Sequence, residues 1–295
     1  MQWTTSRFAI DLTTPKIMGI VNVTPDSFSD GGRYADPAAA LRHCERLIEE
    51  GADILDIGAE STRPGACALD QVEELGRLRP VVRAAVALGV PVSVDTYKPG
   101  VMQAVLDLGV DIINDVWALR WSDAASATGP NATQVIARHP SCGVCLMHMH
   151  GVPLTMQSAP LEGDVVLQVQ LFLSQVAMQA QRNGIVRSRI VVDPGIGFGK
   201  TLAQNFELMA RQRELLSFGL PLLTGWSRKG SLAKIAGSSS APLSSASLHP
   251  RAVASVTAAV LSVQRGASIV RVHDVFETVQ ALRVLSAVEP GSNVQ

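Results

Sequence analysis

Several short apolar runs in this chain close on an acid or an amide. Asn22 ends "KIMGIVN", Asp95 ends "VSVD", Asn114 ends "IIN" and Asp193 ends "IVVD". A further run closes on Arg271 and His273, two apart in "RVHD". Alternate residues of a strand share a face, so each of these side chains can point to one common place. Carboxylates and amides suit a ligand with several N–H donors, and Arg and His suit an anion. Burying so many polar groups with nothing to bind is costly. One acidic wall and one basic wall therefore imply a ligand with a donor-rich heterocycle at one end and negative charge at the other. "SRK", residues 227–229, adds two positive charges after another apolar run, where barrel enzymes often hold phosphate.

The glycine-rich "VVDPGIGFGKT" (191–201) invites a nucleotide-binding reading. A Walker loop needs a glycine five positions before Gly199, where Pro194 stands. A dinucleotide fingerprint fails at Lys200, which occupies the position of its last glycine. What remains is an acid at a strand end followed by a flexible turn; the competing reading is that Asp193 only caps the next helix. "CGVCLMHMH" offers Cys142, Cys145, His148 and His150 as a zinc set. A strand rising about 3.3 Å per residue separates its ends by roughly 26 Å and turns Cys145 and His148 to opposite faces. That geometry argues against one shared ion. The expectation is a buried strand with polar tips, with His148 a candidate for the site.

These residues need a scaffold that gathers strand ends. A helical stretch ending at glycine, then an apolar run, then a polar residue recurs along the chain, as in "EEGADILDIG", "ALGVPVSVD" and "QRGASIVRVHD". Glycine past a helix takes the left-handed position without steric cost. Eight runs rich in Ile, Val and Leu end near Asn22, Asp56, Asp95, Asn114, His148, Asp193, Gly225 and Arg271, as strands buried on both faces should. Helical patterns lie between them. "DPAAALRHCERLIEEG" has Asp36 as N-cap, Pro37 at the first helical position and Gly51 as the stop. Eightfold alternation predicts a (β/α)8 barrel over 16–286, with sites at the C-terminal ends of its strands. A doubly wound sheet is the alternative; it would want a dinucleotide fingerprint after its first strand. Residues 1–15 are expected to form a short hairpin plugging the barrel floor. Residues 23–36 and 58–72 are long connections on the site face. The Ser-rich stretch 237–250 is expected to be a mobile loop, and 287–295 a flexible tail.

Bulk composition narrows the function. The formal net charge of −1 provides no basic field for nucleic acid or a membrane surface, so an anionic ligand needs a local cluster. Charged residues make up 17%, below the usual quarter, which suits a compact globule with few solvated arms. There is no run of membrane-spanning length and no signal-peptide core at the start, and four cysteines are too few for a disulfide scaffold. The expectation is a cytoplasmic protein acting on small molecules.

"MGIVNVTPDSFSDGG", "DIGAESTRPGA", "SVDTYKP", "INDV", "DPGIGFGKT", "SRKG" and "RVHDV" occur in order across residues 18–275. Together they resemble the dihydropteroate synthase family of pterin-binding barrels. The resemblance implies transfer of the pterin-methyl group of (7,8-dihydropterin-6-yl)methyl diphosphate to 4-aminobenzoate, with release of pyrophosphate. It implies that Asp95, Asn114 and Asp193 bind the pterin's amino-pyrimidine edge, with Met147 and Lys229 also on the pterin. Asn22, Thr62, Arg63, Arg271 and His273 match the diphosphate side, with Asn22 as a Mg2+ ligand. Pro64, Phe198, Ser227 and Lys229 match the aminobenzoate pocket. No covalent nucleophile is implied, and a homodimer is. The chain departs from the family pattern at Ala59, at Trp226 and Gly230 around the key lysine, and at Trp117 beside the pterin. Two rivals remain. A methyltetrahydrofolate methyltransferase would keep the pterin edge but have no use for Thr62, Arg63, Lys229 or the Arg271/His273 pair. A non-catalytic pterin-binding paralogue would bind pterin without coupled product.

Overall fold

The computed structural model of the chain describes residues 1–24, 36–60, 68–122, 129–152, 156, 161–236 and 251–288. A hairpin of β1 (Gln2–Thr4) and β2 (Ala9–Asp11) comes first. Eight strands follow: β3 (Lys16–Asn22), β4 (Ile54–Gly58), β5 (Val92–Asp95), β6 (Ile112–Asp115), β7 (Gly143–Met147), β8 (Ile190–Asp193), β9 (Leu223–Thr224) and β10 (Ile269–Val272). All eight pair in parallel, in the order β8-β7-β6-β5-β4-β3-β10-β9. A parallel bridge between Val192 and Leu222 joins the two ends of that row, so the sheet closes into the expected barrel. Closure explains why the runs do not alternate: one face fills the barrel and the other packs on helices.

The outer layer comprises α1 (Pro37–Glu49), α2 (Gln71–Ala85), α3 (Pro99–Leu106), α4 (Ala132–Arg138), α5 (Val165–Arg182), α6 (Leu202–Ala210), α7 (Gly230–Ala236), α8 (Ala252–Gln264) and α9 (Val275–Val288). Helix α1 starts as its sequence predicts. The Asp36 carboxylate accepts from Ala38 N at 2.9 Å, Pro37 follows, and Gly51 takes a φ of 102° just beyond the end. Helix α9 runs to Val288, two residues past the expected barrel boundary. The Ser-rich stretch 237–250 lies outside the described residues, as does most of the tail.

The hairpin closes the barrel floor. Trp3, Ile10 and Leu12 pack against an inner layer of Met18, Ile54, Ile112, Cys145, Val191, Leu223 and Ile269. The Trp3 indole N–H donates to the Arg189 carbonyl at 2.9 Å, so even its polar atom is satisfied. Gly143 leaves the room it needs: a Cβ there would lie 3.0 Å from Trp3 Nε1. An apolar floor keeps water from entering below, and the polar groups gather above it.

Candidate active site

Strand register brings the polar side chains together. Asn22 pairs with Gly58, Gly58 with Asp95, and Asp95 with Asn114, which places four strand ends side by side at the C-terminal mouth. Gly58 keeps that row open: a Cβ would sit 3.4 Å from the Asp95 Cβ. Asp193 and Met147 pair across β8 and β7 at the same rim.

Arg271 rises from β10 into the centre. Its Nε donates to Asp56 Oδ2 at 2.6 Å and its Nη2 to Asp95 Oδ2 at 3.0 Å. The acidic and basic walls expected from the sequence are therefore not apart; the guanidinium is shared by two acids inside the barrel. Asp56 Oδ2 also accepts from Asn114 Nδ2 at 3.1 Å. With its amide nitrogen given to Asp56, Asn114 is left with its carbonyl oxygen as a free acceptor for a ligand. Asp56 ends the apolar stretch of "ILD", the same signal that marks Asp95 and Asp193, and it is a site residue the sequence reading misses.

Electrostatics follow from burial. Asp95 is pushed up to about 7, first by desolvation, against the pull of Arg271 and with the help of Asp56's negative charge. Arg271 is moved the other way in consequence: burial opposes its charge, but Asp56 and Asp95 outweigh it and hold the guanidinium protonated. One cation facing two carboxylates satisfies itself and leaves the acids in competition. Asp193 is likewise raised by burial, opposed by the hydrogen bond from Gly195 N at 2.7 Å and by Lys229, Lys200 and Arg271. It does not cap the next helix, whose cap is Thr201. Asp115, one residue past Asn114, is buried and raised to about 7 by desolvation. It accepts from Trp117 N and Leu119 N at 2.8 and 2.6 Å. Those bonds hold a turn in which Ala118 and Leu119 take left-handed φ values of 53° and 61°.

The other side of the mouth is apolar and cationic. Phe198 packs with Met147, Met149, Met156, Tyr97 and Val116, with Trp117 and Trp121 against them. The Lys229 ammonium lies 4.2 Å from the Phe198 ring centroid, a cation–π distance. Ser227 Oγ lies 3.0 Å from His273 Nδ1 and accepts from His273 N at 3.1 Å, tying the ends of the β9 and β10 loops together. Arg228 does not add its charge to the mouth; its guanidinium pairs with Asp274 at 2.6 Å.

Two expectations are corrected. His148 does not line the mouth: one residue past Met147, it points outward, edge-on to Phe172 with ring centroids 4.8 Å apart. Trp226 does not crowd Lys229; it is buried in the outer core beside Phe206. Gly230 opens α7, and among the described residues no neighbouring group lies within 4 Å of where a Cβ would be. Trp117 does stand at the mouth, 6.1 Å from Tyr97 between ring centroids. Thr62, Arg63 and Pro64 lie outside the described residues. Among the described residues, no three His, Cys, Asp or Glu side chains are grouped to hold a metal ion, and no helix is long and apolar enough to cross a membrane.

The structure is thus a closed parallel barrel with carboxylates, an amide acceptor and a cation gathered over an apolar floor. The family model for pterin binding enzymes matches residues 18–273. The dihydropteroate synthase of Neisseria meningitidis serogroup B is 47% identical, over 97% of this chain and 96% of that protein. The structure of Xanthomonas albilineans dihydropteroate synthase with 4-aminobenzoic acid shares 46% identity and a TM-score of 0.83, covering 96% of each chain. That of the Burkholderia cenocepacia enzyme complexed with 7,8-dihydropteroate shares 42% and 0.82, covering 97% of this chain and 96% of that one. The chain belongs to the dihydropteroate synthase family.

Proposed function

We propose that the mouth joins (7,8-dihydropterin-6-yl)methyl diphosphate to 4-aminobenzoate through the residues at its strand ends. The observation that carries this reading is the shared Arg271–Asp56–Asn114–Asp95 network, which presents acceptors at one depth in the barrel. The Asp95 and Asp193 carboxylates and the Asn114 carbonyl take the donor edge of the pterin by charge-assisted and neutral hydrogen bonds. Met147 packs on the pterin, and Lys229 bridges pterin and second substrate. Asn22, Arg271 and His273 serve the diphosphate, a role also proposed for Thr62 and Arg63. Phe198, Ser227 and Pro64 shape the aminobenzoate side.

The reaction breaks the methylene C–O bond, and the pair of electrons leaves with pyrophosphate. The methylene left behind is cationic and conjugated with the pterin. The arylamine nitrogen attacks it, forms the C–N bond and loses a proton. No step needs a covalent catalyst from the protein; positioning and stabilisation of the departing charge suffice. A single amide oxygen from Asn22 suits Mg2+, a hard cation that keeps waters and substrate phosphates among its ligands. Asn22 would hold the ion only together with water and substrate phosphates, and the ion would supply positive charge against the diphosphate.

The proposed assembly is a homodimer. Val253 on α8 and Phe276, Val284 and Val288 on α9 are exposed apolar side chains on neighbouring helices, which supports a pairing face there. The proposed location is the cytoplasm. The activity is tested by pyrophosphate release with Mg2+, with and without 4-aminobenzoate, while following dihydropteroate. Coupled release supports the synthase. Pterin binding without coupled product would move the non-catalytic reading to the front.

A further inference from the structure

Lys200 has no part in the roles above, yet its ammonium is enclosed by the turn after β8. Nζ lies 2.9 Å from His148 Nδ1, 2.8 Å from the Gly195 carbonyl and 3.1 Å from the Phe198 carbonyl; the His148 carbonyl is a longer neighbour at 3.4 Å. An ammonium has three N–H donors and no acceptor, so three near partners saturate it. His148 Nδ1 must then offer a lone pair. The imidazole is neutral with its proton on Nε2, in keeping with a pKa held down to about 2 by burial and the Lys200 charge. Among the described residues no carboxylate lies in ion-pair contact with Lys200; burial pushes its pKa down to about 7 against the pull of the Asp193 charge, so an ammonium held against carbonyls is costly here.

The turn itself shows the need. Gly195, Gly197 and Gly199 all have positive φ. A Cβ at Gly195 would collide with the His148 carbonyl oxygen, and one at Gly199 with that of His150. The turn thus lies directly on the segment after β7, and Lys200 binds both from within. Asn205 Oδ1 holds the same turn from its other side by accepting from Gly197 N at 2.7 Å. The residue this turn delivers to the mouth is Phe198, whose carbonyl is one of Lys200's three acceptors and whose ring lies under Lys229.

We propose that Lys200 is a positioning residue for the second substrate. By fixing the Gly195 and Phe198 carbonyls against His148, it sets the Phe198 ring, and with it Lys229, at the aminobenzoate side of the mouth. The inference rests on the reading of Phe198 given above. The test compares Lys200→Met, Phe198→Leu and the double variant in the full chain with Mg2+. Each is measured for the 4-aminobenzoate KM, for kcat and for the dissociation constant of the dihydropterin diphosphate. Lys200→Met is expected to raise the KM tenfold or more while leaving the dihydropterin constant within twofold. The double variant is expected to match the larger single effect. An unchanged KM in Phe198→Leu sinks the reading of Phe198. An effect of Phe198→Leu with none from Lys200→Met, or full additivity in the double variant, overturns the role of Lys200. Should Lys200→Met fail to fold, Lys200→Gln keeps two N–H donors and is expected to retain a KM nearer the parent's than Lys200→Ala does; equal losses would count against the proposal. In the parent itself, 15N NMR is expected to show His148 as the neutral Nε2–H tautomer at about pH 6, below the value of about 7 to which burial pushes Lys200, where the ammonium is protonated. An Nδ1–H or doubly protonated ring there would remove the geometry on which the proposal stands.

Discussion

Removing Asp56 tests whether the mouth is one connected unit. Its Oδ2 accepts from Arg271 Nε and Asn114 Nδ2, and it is wholly buried. In Asp56→Ala the charge-assisted bond to Arg271 is lost, worth about 1.5–3 kcal/mol, and the Asn114 N–H₂ is left unpaired, about 1–3 kcal/mol more. Two features offset this. Arg271 keeps Asp95 at 3.0 Å, and a buried carboxylate whose other oxygen, Oδ1, has no partner among the described residues is removed. The net expectation is a loss of about 3 kcal/mol, below the upper end for breaking a buried pair. Asp56→Asn keeps an acceptor toward both donors and turns an amide N–H toward the position of Oδ1. Ser93, its register partner on β5, also has a buried hydroxyl without a partner among the described residues. That variant should cost only about 1 kcal/mol, because weakened bonds are replaced in part. Asn114 is the functional reporter. Freed from Asp56 in the alanine variant, its amide can flip, so pterin affinity should fall more than tenfold in Asp56→Ala and less in Asp56→Asn. Urea unfolding followed by tryptophan fluorescence, and calorimetric titration with pterin, read the two effects. An alanine variant with the parent's midpoint and pterin affinity would refute the network as a unit.

Asp193→Asn should lose pterin binding, since an acceptor-only carboxylate becomes an amide that must also present a donor; titration with pterin checks it. Arg271→Ala should weaken binding of the dihydropterin diphosphate more than that of free pterin, and equal losses would count against its diphosphate role. Trp3→Ala should destabilise the fold by about 3–5 kcal/mol in urea, because a fully buried plug is deleted and the Arg189 carbonyl loses its donor, while the mouth keeps its substrate affinities.

The barrel was legible because each strand carried its own stop. Asn22, Asp95, Asn114 and Asp193 ended apolar runs, and each lies at or within one residue of its strand's end. Local chemistry also read correctly: Asp36 caps α1 and Gly51 leaves it in the left-handed conformation. What stayed hidden was direction and partnership across distant strands. Asp56 meets Arg271 across 215 residues of chain, a contact that no local pattern encodes. His148 looked like a mouth residue because it is polar at a strand end. It lies one residue beyond Met147, and a single step reverses the face. Trp226 shows the same limit: proximity to Lys229 in sequence carries no information on which side of the sheet its ring goes. Lys200 read as the residue that spoils a nucleotide motif, and only the folded turn shows what its three protons hold.

Asp95 turns this burial into a pH dependence whose sign is fixed. Its pKa in the fold is about 7, against 3.8 when unperturbed, with desolvation the largest cause. The folded state therefore holds the proton more tightly than the unfolded one. The stability this contributes is full below about 4 and is lost as the pH rises through about 7. Ligand binding runs the other way. The donor edge of a pterin needs the ionised carboxylate, so pterin affinity should climb between pH 6 and 8 and level off above, while the fold gains nothing from the change. Pairing with Arg271 does not remove the conflict, because Asp56 competes for the same guanidinium. Asp95→Asn should flatten the affinity profile in that window and weaken binding at its top. A parent profile already flat from pH 6 would mean that Asp95 is ionised throughout, and that Arg271 serves it ahead of Asp56.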